Sequence, residues 1–233
     1  MLQQTQVPRV LVKYKEFLEK FPTVESLANA PLRDVLVLWQ GLGYNRRAKF
    51  LHEAAKLLAK EKKITYEFLN SLPGVGQSTA GAVLVFTQNK PIVFIETNVR
   101  AVLLHHFYSE TEEKISDKDL VILMEKLLLK LGDTFTPREF YYAIYDYGTY
   151  LKSTLGKEKK ILHSKSKHYV KQSKFKGSRR QLRAFILKKF LEMKDVKKLA
   201  SVVMDELPVE LENYGANDVV VLIGELKNEG FFE

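Results

Sequence analysis

Cysteine is missing from all 233 residues. Its absence excludes disulfides, thiolate zinc sites, cysteine-ligated iron-sulfur clusters and cysteine nucleophiles at once. Histidine is scarce, and His52, His105, His106, His163 and His168 show no metal-ligand spacing with carboxylates, so no metal is expected. No apolar run approaches the roughly 18 residues a membrane span requires, and no basic start, apolar stretch and small-residue cleavage site mark a signal peptide. The chain reads as a soluble intracellular protein with no membrane partner. Alternating strand patterns are equally scarce: residues 91 to 95 alone invite that reading, and they are read as a loop.

Acidic residues are nearly absent from one region only. Residues 152 to 189 hold 14 Lys/Arg and a single acid, residues 1 to 151 hold 19 against 17, and residues 190 to 233 hold 4 against 10, within a net charge of +9. A concentrated basic stretch suits a polyanion, because each neutralised phosphate releases condensed counterions. A solvated linker is the other reading of such a charge run.

Apolar positions recur at three- and four-residue steps through the first 151 residues. They predict helices at 3 to 20, 24 to 29, 32 to 39, 46 to 61, 66 to 71, 77 to 88, 97 to 108, 117 to 131 and 137 to 151. The pattern dissolves over 152 to 178, a basic linker with Tyr169 and Phe175 as its aromatic points, and resumes at 179 to 193, 195 to 206 and 217 to 229. The expected fold is all-α: a helical domain over 1 to 151, the linker, and a small helical domain over 179 to 233 that resembles a winged helix with its wing cut short. That last module is acidic, a poor match to a phosphate backbone, so packing or protein contact suits it better than groove reading.

Leu72-Pro73-Gly74-Val75-Gly76 lies between two predicted helices, with glycines where the chain must turn sharply. The turn feeds Gln77-Ser78-Thr79, where the outward-facing amides of a helix N-terminus favour an anion such as a DNA phosphate. Taken alone, the segment is also compatible with an ordinary turn between helices. Its surroundings narrow the choice. LPGVGQSTAGAV is similar to the hairpin of the helix-hairpin-helix DNA glycosylases related to endonuclease III and MutY. MLQQTQV, FPTVESLANAP and WQGLGYNRRAKFLHEAAK resemble, in the same order, the adenine-specific MutY branch, and PIVFIETNVRAVL falls where that family carries its catalytic carboxylate loop. The resemblance covers about residues 1 to 151, through FYYAIYDYGTYL.

The resemblance implies roles for the matching residues. Gln3 and Gln4 contact DNA, with Gln4 filling the space left when the target adenine is rotated out, and Leu2 lines the base pocket. Tyr44 stacks into the duplex; packing against the Trp39 helix is its alternative role. Leu72, Gly74, Val75, Gly76, Ser78 and Thr79 form the phosphate-binding hairpin, a place compatible with a monovalent cation. Ser78 stands where strand-cleaving relatives have a Schiff-base lysine, so the implied activity is monofunctional: water replaces the base and leaves an abasic site. Asp146 falls where the family often has an acid near the adenine pocket, and a helix-packing or capping aspartate is the competing reading.

Two departures stand out. The family uses an aspartate in a D-x-N-V loop, whereas this chain has Glu96-Thr97-Asn98-Val99. A carboxylate there stabilises an oxocarbenium-like sugar, and one extra methylene shifts it, which can cost about 100-fold in rate. Glu96 is thus the candidate catalytic carboxylate, with Asn98 fixing the loop; a helix-capping role for Glu96 is the alternative. MutY-like proteins also commonly place four cysteines after this domain, beginning where this chain has Lys152, to hold an iron-sulfur cluster and a loop that grips DNA. Lys171, Lys174, Arg179 and Arg180 are the candidates to bind phosphate in place of that loop.

The reading is a MutY-like adenine DNA glycosylase acting on double-stranded DNA with adenine opposite guanine or 8-oxoguanine, expected as a nucleoid-associated cytoplasmic monomer without a cofactor. Its alternatives are a uracil or thymine mispair glycosylase and a DNA-binding protein without catalysis. In the family, a glutamate two residues before the methionine, within S-E-V-M-L-Q-Q-T, protonates the departing adenine. Met1 is therefore expected to be internal to a longer reading frame, and the 233-residue chain to bind DNA better than it cleaves adenine from it.

Overall fold

Side-chain capping marks several helix starts in the computed structural model, which describes residues 1–132, 134–155, 166–167, 173–193 and 196–232. In chain order the helices are α1 Val7–Lys20, α2 Val24–Asn29, α3 Leu32–Trp39, α4 Arg46–Leu58, α5 Tyr66–Ser71, α6 Gln77–Gln88, α7 Thr97–Phe107, α8 Asp117–Leu131, α9 Pro137–Thr154, α10 Arg179–Glu192, α11 Leu199–Asp205 and α12 Ala216–Asn228. Thr23, Ser116 and Thr136 form reciprocal capping boxes at α2, α8 and α9, and Ser178 caps α10. The fold is all-α. Among the described residues no strand forms, and the single β-bridge joins Ile115 to Ser166.

The described chain divides into two compact units. One gathers residues 1–62, 72–74 and the described part of 172–233. Its core unites Phe17, Phe21, Val35, Leu36 and Trp39 with Leu182, Ile186, Leu187, Leu199, Leu222 and Phe231. Each fully buried aliphatic or aromatic side chain there contributes about 1.5–3 kcal/mol. Polar contacts tie the same halves. Arg33 on α3 donates to the carbonyls of Leu191 (2.6 Å) and Met193 (2.8 Å), satisfying the open C-terminus of α10. The segment expected as a separate domain, 179 to 233, thus shares its core with the first helices. No wing is seen among the described residues, and Phe231 is buried in this core.

This unit also absorbs much of the basic run. Arg179 pairs with Glu225, Arg183 with Glu225 and Glu229, Lys176 with Glu210, and Lys189 with Glu192 and Glu206. The Glu229 carboxyl illustrates the balance: burial alone raises its pKa, but Arg46 and Arg183 outweigh burial and hold it below the ordinary range.

The second unit comprises residues 63–71 and the described part of 75–171. Phe94, Ile95, Val99, Leu103, Leu104, Leu120, Met124, Tyr141, Ile144 and Leu151 form its core. Residues 92 to 95 form no regular structure and are held by Tyr141. Its ring stacks on Phe94 at 4.2 Å, its hydroxyl accepts from the Phe94 amide (3.0 Å), and the Ile92 and Phe94 carbonyls lie within donating distance. Burial pushes the Tyr141 phenol up to about 12, the Phe94 amide opposing in part.

Some predicted boundaries move. α1 begins at Val7 instead of residue 3, because Gln4 takes a left-handed turn (φ 61°) and Pro8 suits a first helical turn. α4 stops at Leu58, α9 runs on to Thr154, and the stretch read as one helix over 195 to 206 is a 3-10 turn, Val196–Lys198, followed by α11.

Candidate active site

The second unit builds the carboxylate loop. α6 starts at a Gly76 N-cap that brings no side-chain cap, and Ser78 in its first turn donates to the Ile95 carbonyl at 2.9 Å. Gly81, one turn further on, sits so close to Phe94 that a Cβ would lie 3.0 Å from that residue's Cβ. The first turn of α6 and the residues just before Glu96 are therefore held together by a hydroxyl and a glycine contact.

Glu96 is the N-cap of α7. Its Oε1 accepts from the amides of Asn98 (2.6 Å) and Val99 (2.9 Å), so the additional methylene is accommodated by folding the side chain back over the helix start. Capping and catalysis are compatible in one carboxylate, since the helix N-terminus stabilises its negative charge while the second oxygen is not spent on these amides. Tyr145 stands close enough to be affected: burial first, then the Glu96 carboxylate and Tyr141, push its phenol well above the ordinary range.

Two residues of α9 fix this loop. Lys152 donates to the Asn98 side-chain oxygen. Gly148 makes the approach possible, because a Cβ there would meet Asn98 Cβ at 2.8 Å and its carbonyl oxygen at 2.9 Å. Sequence reasoning singled out neither residue for this role. A glycine within a long helix was the available signal for the second.

The other unit carries the Gln4 and Tyr44 turns. Both residues have left-handed backbones, at φ 61° and 49°, and both are exposed. Trp39 donates from its indole nitrogen to the Gly43 carbonyl at 3.1 Å, which closes the Gly41-Leu42-Gly43-Tyr44 turn over α3. Arg47 lies between the two turns and donates to the carbonyls of Met1 and Gln3 on one side and of Leu42 and Gly43 on the other. In the same unit Gly74 takes φ 71°, and a Cβ there would lie 2.8 Å from Phe50 Cβ, so both conformation and space demand glycine.

A family model described as "HhH-GPD superfamily base excision DNA repair protein" matches residues 1–127, more than half of the chain. The chain belongs to the HhH-GPD superfamily of base excision DNA repair proteins. It is similar to the adenine DNA glycosylase of Buchnera aphidicola from Baizongia pistaciae, 37% identical over 158 residues, which is 64% of this chain and 42% of that protein. The adenine DNA glycosylase of Mycobacterium tuberculosis is 42% identical over 107 residues, 44% of this chain and 35% of the relative. That of Schizosaccharomyces pombe is 34% identical over 159 residues, 64% and 33% respectively. The chain thus spans less than half the length of these curated relatives.

Within this HhH-GPD chain the remaining predicted site residues fall as follows. Leu72 is buried, Val75, Ser78 and Thr79 are half-buried, and Gly74 and Gly76 are exposed. Leu2 is 61% exposed, and Asp146 lies on the exposed face of α9. Lys174 is exposed, Arg179 pairs with Glu225 at 2.6 Å, and Arg180 donates to the Ser173 carbonyl at 2.8 Å. Lys171 and Tyr169 lie outside the described residues. Lys152 donates to the Asn98 side-chain oxygen, and the chain has no cysteine to supply a thiolate. No helix among the described residues is long and apolar enough to cross a membrane.

Proposed function

We propose that this chain is a monofunctional adenine glycosylase scaffold, acting on adenine opposite guanine or 8-oxoguanine in duplex DNA. The observation that carries the reading is the Glu96 carboxylate at the α7 N-terminus, in a loop joined to the first turn of α6 through Ser78 and Ile95. As the N-glycosidic bond lengthens, positive charge develops on the sugar, and a fixed carboxylate stabilises it. Adenine departs, water adds to the anomeric carbon, and the proton that water gives up ends on the departed base, so that free adenine and an abasic site remain. Ser78 has no amine with which to form a Schiff base, so no strand break follows from that position.

In the same proposal the α6 amides after Gly76 receive a phosphate, and Gln4 and Tyr44 enter the duplex beside the extruded base, with Leu2 lining the base pocket. Asn98, Lys152 and Gly148 keep the carboxylate in register. Lys171, Lys174, Arg179 and Arg180 add phosphate contacts; an exposed pair such as Arg179–Glu225 is worth only about 0–1 kcal/mol and is readily exchanged for a phosphate. The adenine DNA glycosylase relatives support the choice of base. One observation favours a second reading, a mispair-binding protein without catalysis: Oε1 of Glu96 is already committed to two amides.

Single-turnover assays with protein in excess over A:8-oxoG, A:G, U:G and T:G duplexes separate these readings. The proposal expects slow formation of alkali-labile sites on the two adenine duplexes, with no strand cleavage before alkali and no borohydride-trapped adduct. Product on U:G or T:G would move the assignment to another base. Tight binding with no product on any duplex would favour the second reading.

A further inference from the structure

Arg47 is engaged far beyond what packing of α4 requires. One guanidinium nitrogen donates to the Met1 carbonyl (2.8 Å) and the Gln3 carbonyl, and the other to Thr5 Oγ1 (2.8 Å), Leu42 O (3.0 Å) and Gly43 O (3.0 Å). The plane also lies 5.4 Å from the Trp39 ring and 5.5 Å from the Tyr44 ring. Thr5 Oγ1 in turn donates to the Leu42 carbonyl at 2.8 Å. These acceptors come from the two turns that contain Gln4 and Tyr44, two of the three non-glycine residues with positive φ among the described residues. A left-handed backbone at a residue with a Cβ persists only where its surroundings over-determine it. Here one planar fork satisfies the carbonyls that flank both strained residues.

We propose that Arg47 is a positioning residue: it locks the Gln4 and Tyr44 turns into one preformed wedge, and so sets discrimination between mispaired and matched DNA instead of general affinity. The inference rests on the proposed reading that Gln4 and Tyr44 enter the duplex. Lysine cannot replace it, because a compact ammonium lacks the rigid fork and the flat face that lies over Trp39 and Tyr44. The terminal nitrogens of Arg47 face four backbone carbonyls and the Thr5 hydroxyl, so it is not a phosphate contact. Arg46, its neighbour in sequence, instead pairs with Glu229 at 2.9 Å.

The test compares the full 233-residue chain with Arg47→Lys, with the pair Gln4→Ala/Tyr44→Ala, and with all three substitutions together. Dissociation constants are measured for an A:8-oxoG duplex and for its T:A counterpart across a salt series. Arg47→Lys is expected to lower the mispair-to-matched affinity ratio by roughly tenfold. The salt slope should stay unchanged, and the substitution should have no further effect on the ratio in the Gln4→Ala/Tyr44→Ala background. A ratio that survives Arg47→Lys, an equal loss in that background, or a salt slope reduced by about one would overturn the inference. Should Arg47→Lys melt the protein, Thr5→Val removes one acceptor of the fork, together with the Thr5 bond to the Leu42 carbonyl, without changing shape and must show a smaller loss of the same kind; an unchanged ratio there overturns the inference as well. A wild-type chain that does not discriminate the mispair at all removes the underlying reading and the inference with it, an outcome distinct from discrimination that Arg47→Lys leaves intact.

Discussion

Gly148→Ala is the substitution whose effect on chemistry should most exceed its effect on stability. The new Cβ would stand 2.8 Å from Asn98 Cβ, 2.9 Å from its carbonyl oxygen and 3.1 Å from its Cα. Carbon atoms in good contact sit near 3.5 Å, so the start of α7 has to retreat by about 0.7 Å from α9. Two of the three obstructing atoms are backbone, and no rotamer change relieves them. Overpacking of this kind costs about 1–3 kcal/mol, while alanine gains about 1 kcal/mol over glycine in a helix interior. The net is a loss of about 0–2 kcal/mol, or at most about 8 °C in Tm for a chain of this size. The same movement carries Glu96 and Asn98 away from Lys152 and from the Ser78–Ile95 contact. A misplacement approaching 1 Å at a reacting group costs up to about 100-fold in rate. Thermal melting followed by circular dichroism and single-turnover adenine release from A:8-oxoG DNA measure the two effects on one sample. A variant that melts within a few degrees of wild type yet loses at least tenfold in rate agrees with the geometry. An unchanged rate would refute the claim that α9 positions the carboxylate loop.

Two further outcomes follow from the same contacts. His52 is buried and its Nε2 meets the Ala30 carbonyl at 2.9 Å, and burial first, then Lys56, lower its pKa from the ordinary 6.5. Its contribution to stability is therefore complete above about pH 6.5 and is lost as pH falls towards the folded value, because only the unfolded chain takes up the proton readily. Melting curves between pH 7.5 and 5 should show this loss, and His52→Gln should flatten it; an identical pH profile in the variant would assign the loss elsewhere. For the basic patch, Lys174→Ala with Arg180→Ala should reduce the salt slope of DNA binding by about two, one for each phosphate contact removed. A slope equal to wild type would leave those residues to packing alone.

Local chemistry made the helices legible. Thr23, Ser116, Thr136 and Ser178 each occupy the capping position that their residue type favours, and Gly74 stands where both its φ and its contact with Phe50 require it. The loop sequence offered Glu96 as a reacting carboxylate or, alternatively, as a helix cap, and the structure shows the cap directly. Long-range pairing was not legible. The union of residues 1–62 with the last 60 or so depends on contacts such as Arg33 to the end of α10, which no local pattern encodes. The charge pattern misled in a specific way: the basic run and the acidic tail looked like independent features, yet Arg179, Arg183 and Lys189 are neutralised by Glu225, Glu229 and Glu206. Arg46 and Arg47 are alike in sequence and differ completely in environment, one paired with Glu229 at the surface, the other satisfying two turns. Lys152 gave no signal beyond replacing a cysteine, and its contact with Asn98 emerges only when α9 crosses α7.

The central claim is that Glu96 supplies the negative charge for removing adenine. Its most direct test is the single-turnover rate of free adenine release from an A:8-oxoG duplex, measured for wild type and Glu96→Gln side by side. Glutamine can still accept from the Asn98 and Val99 amides but carries no charge, so the cap is largely kept while the electrostatic stabilisation is removed. The account predicts slow, measurable release by wild type and a rate lower by about 100-fold or more in the variant, with DNA affinity essentially unchanged. Equal rates for the two proteins would contradict it.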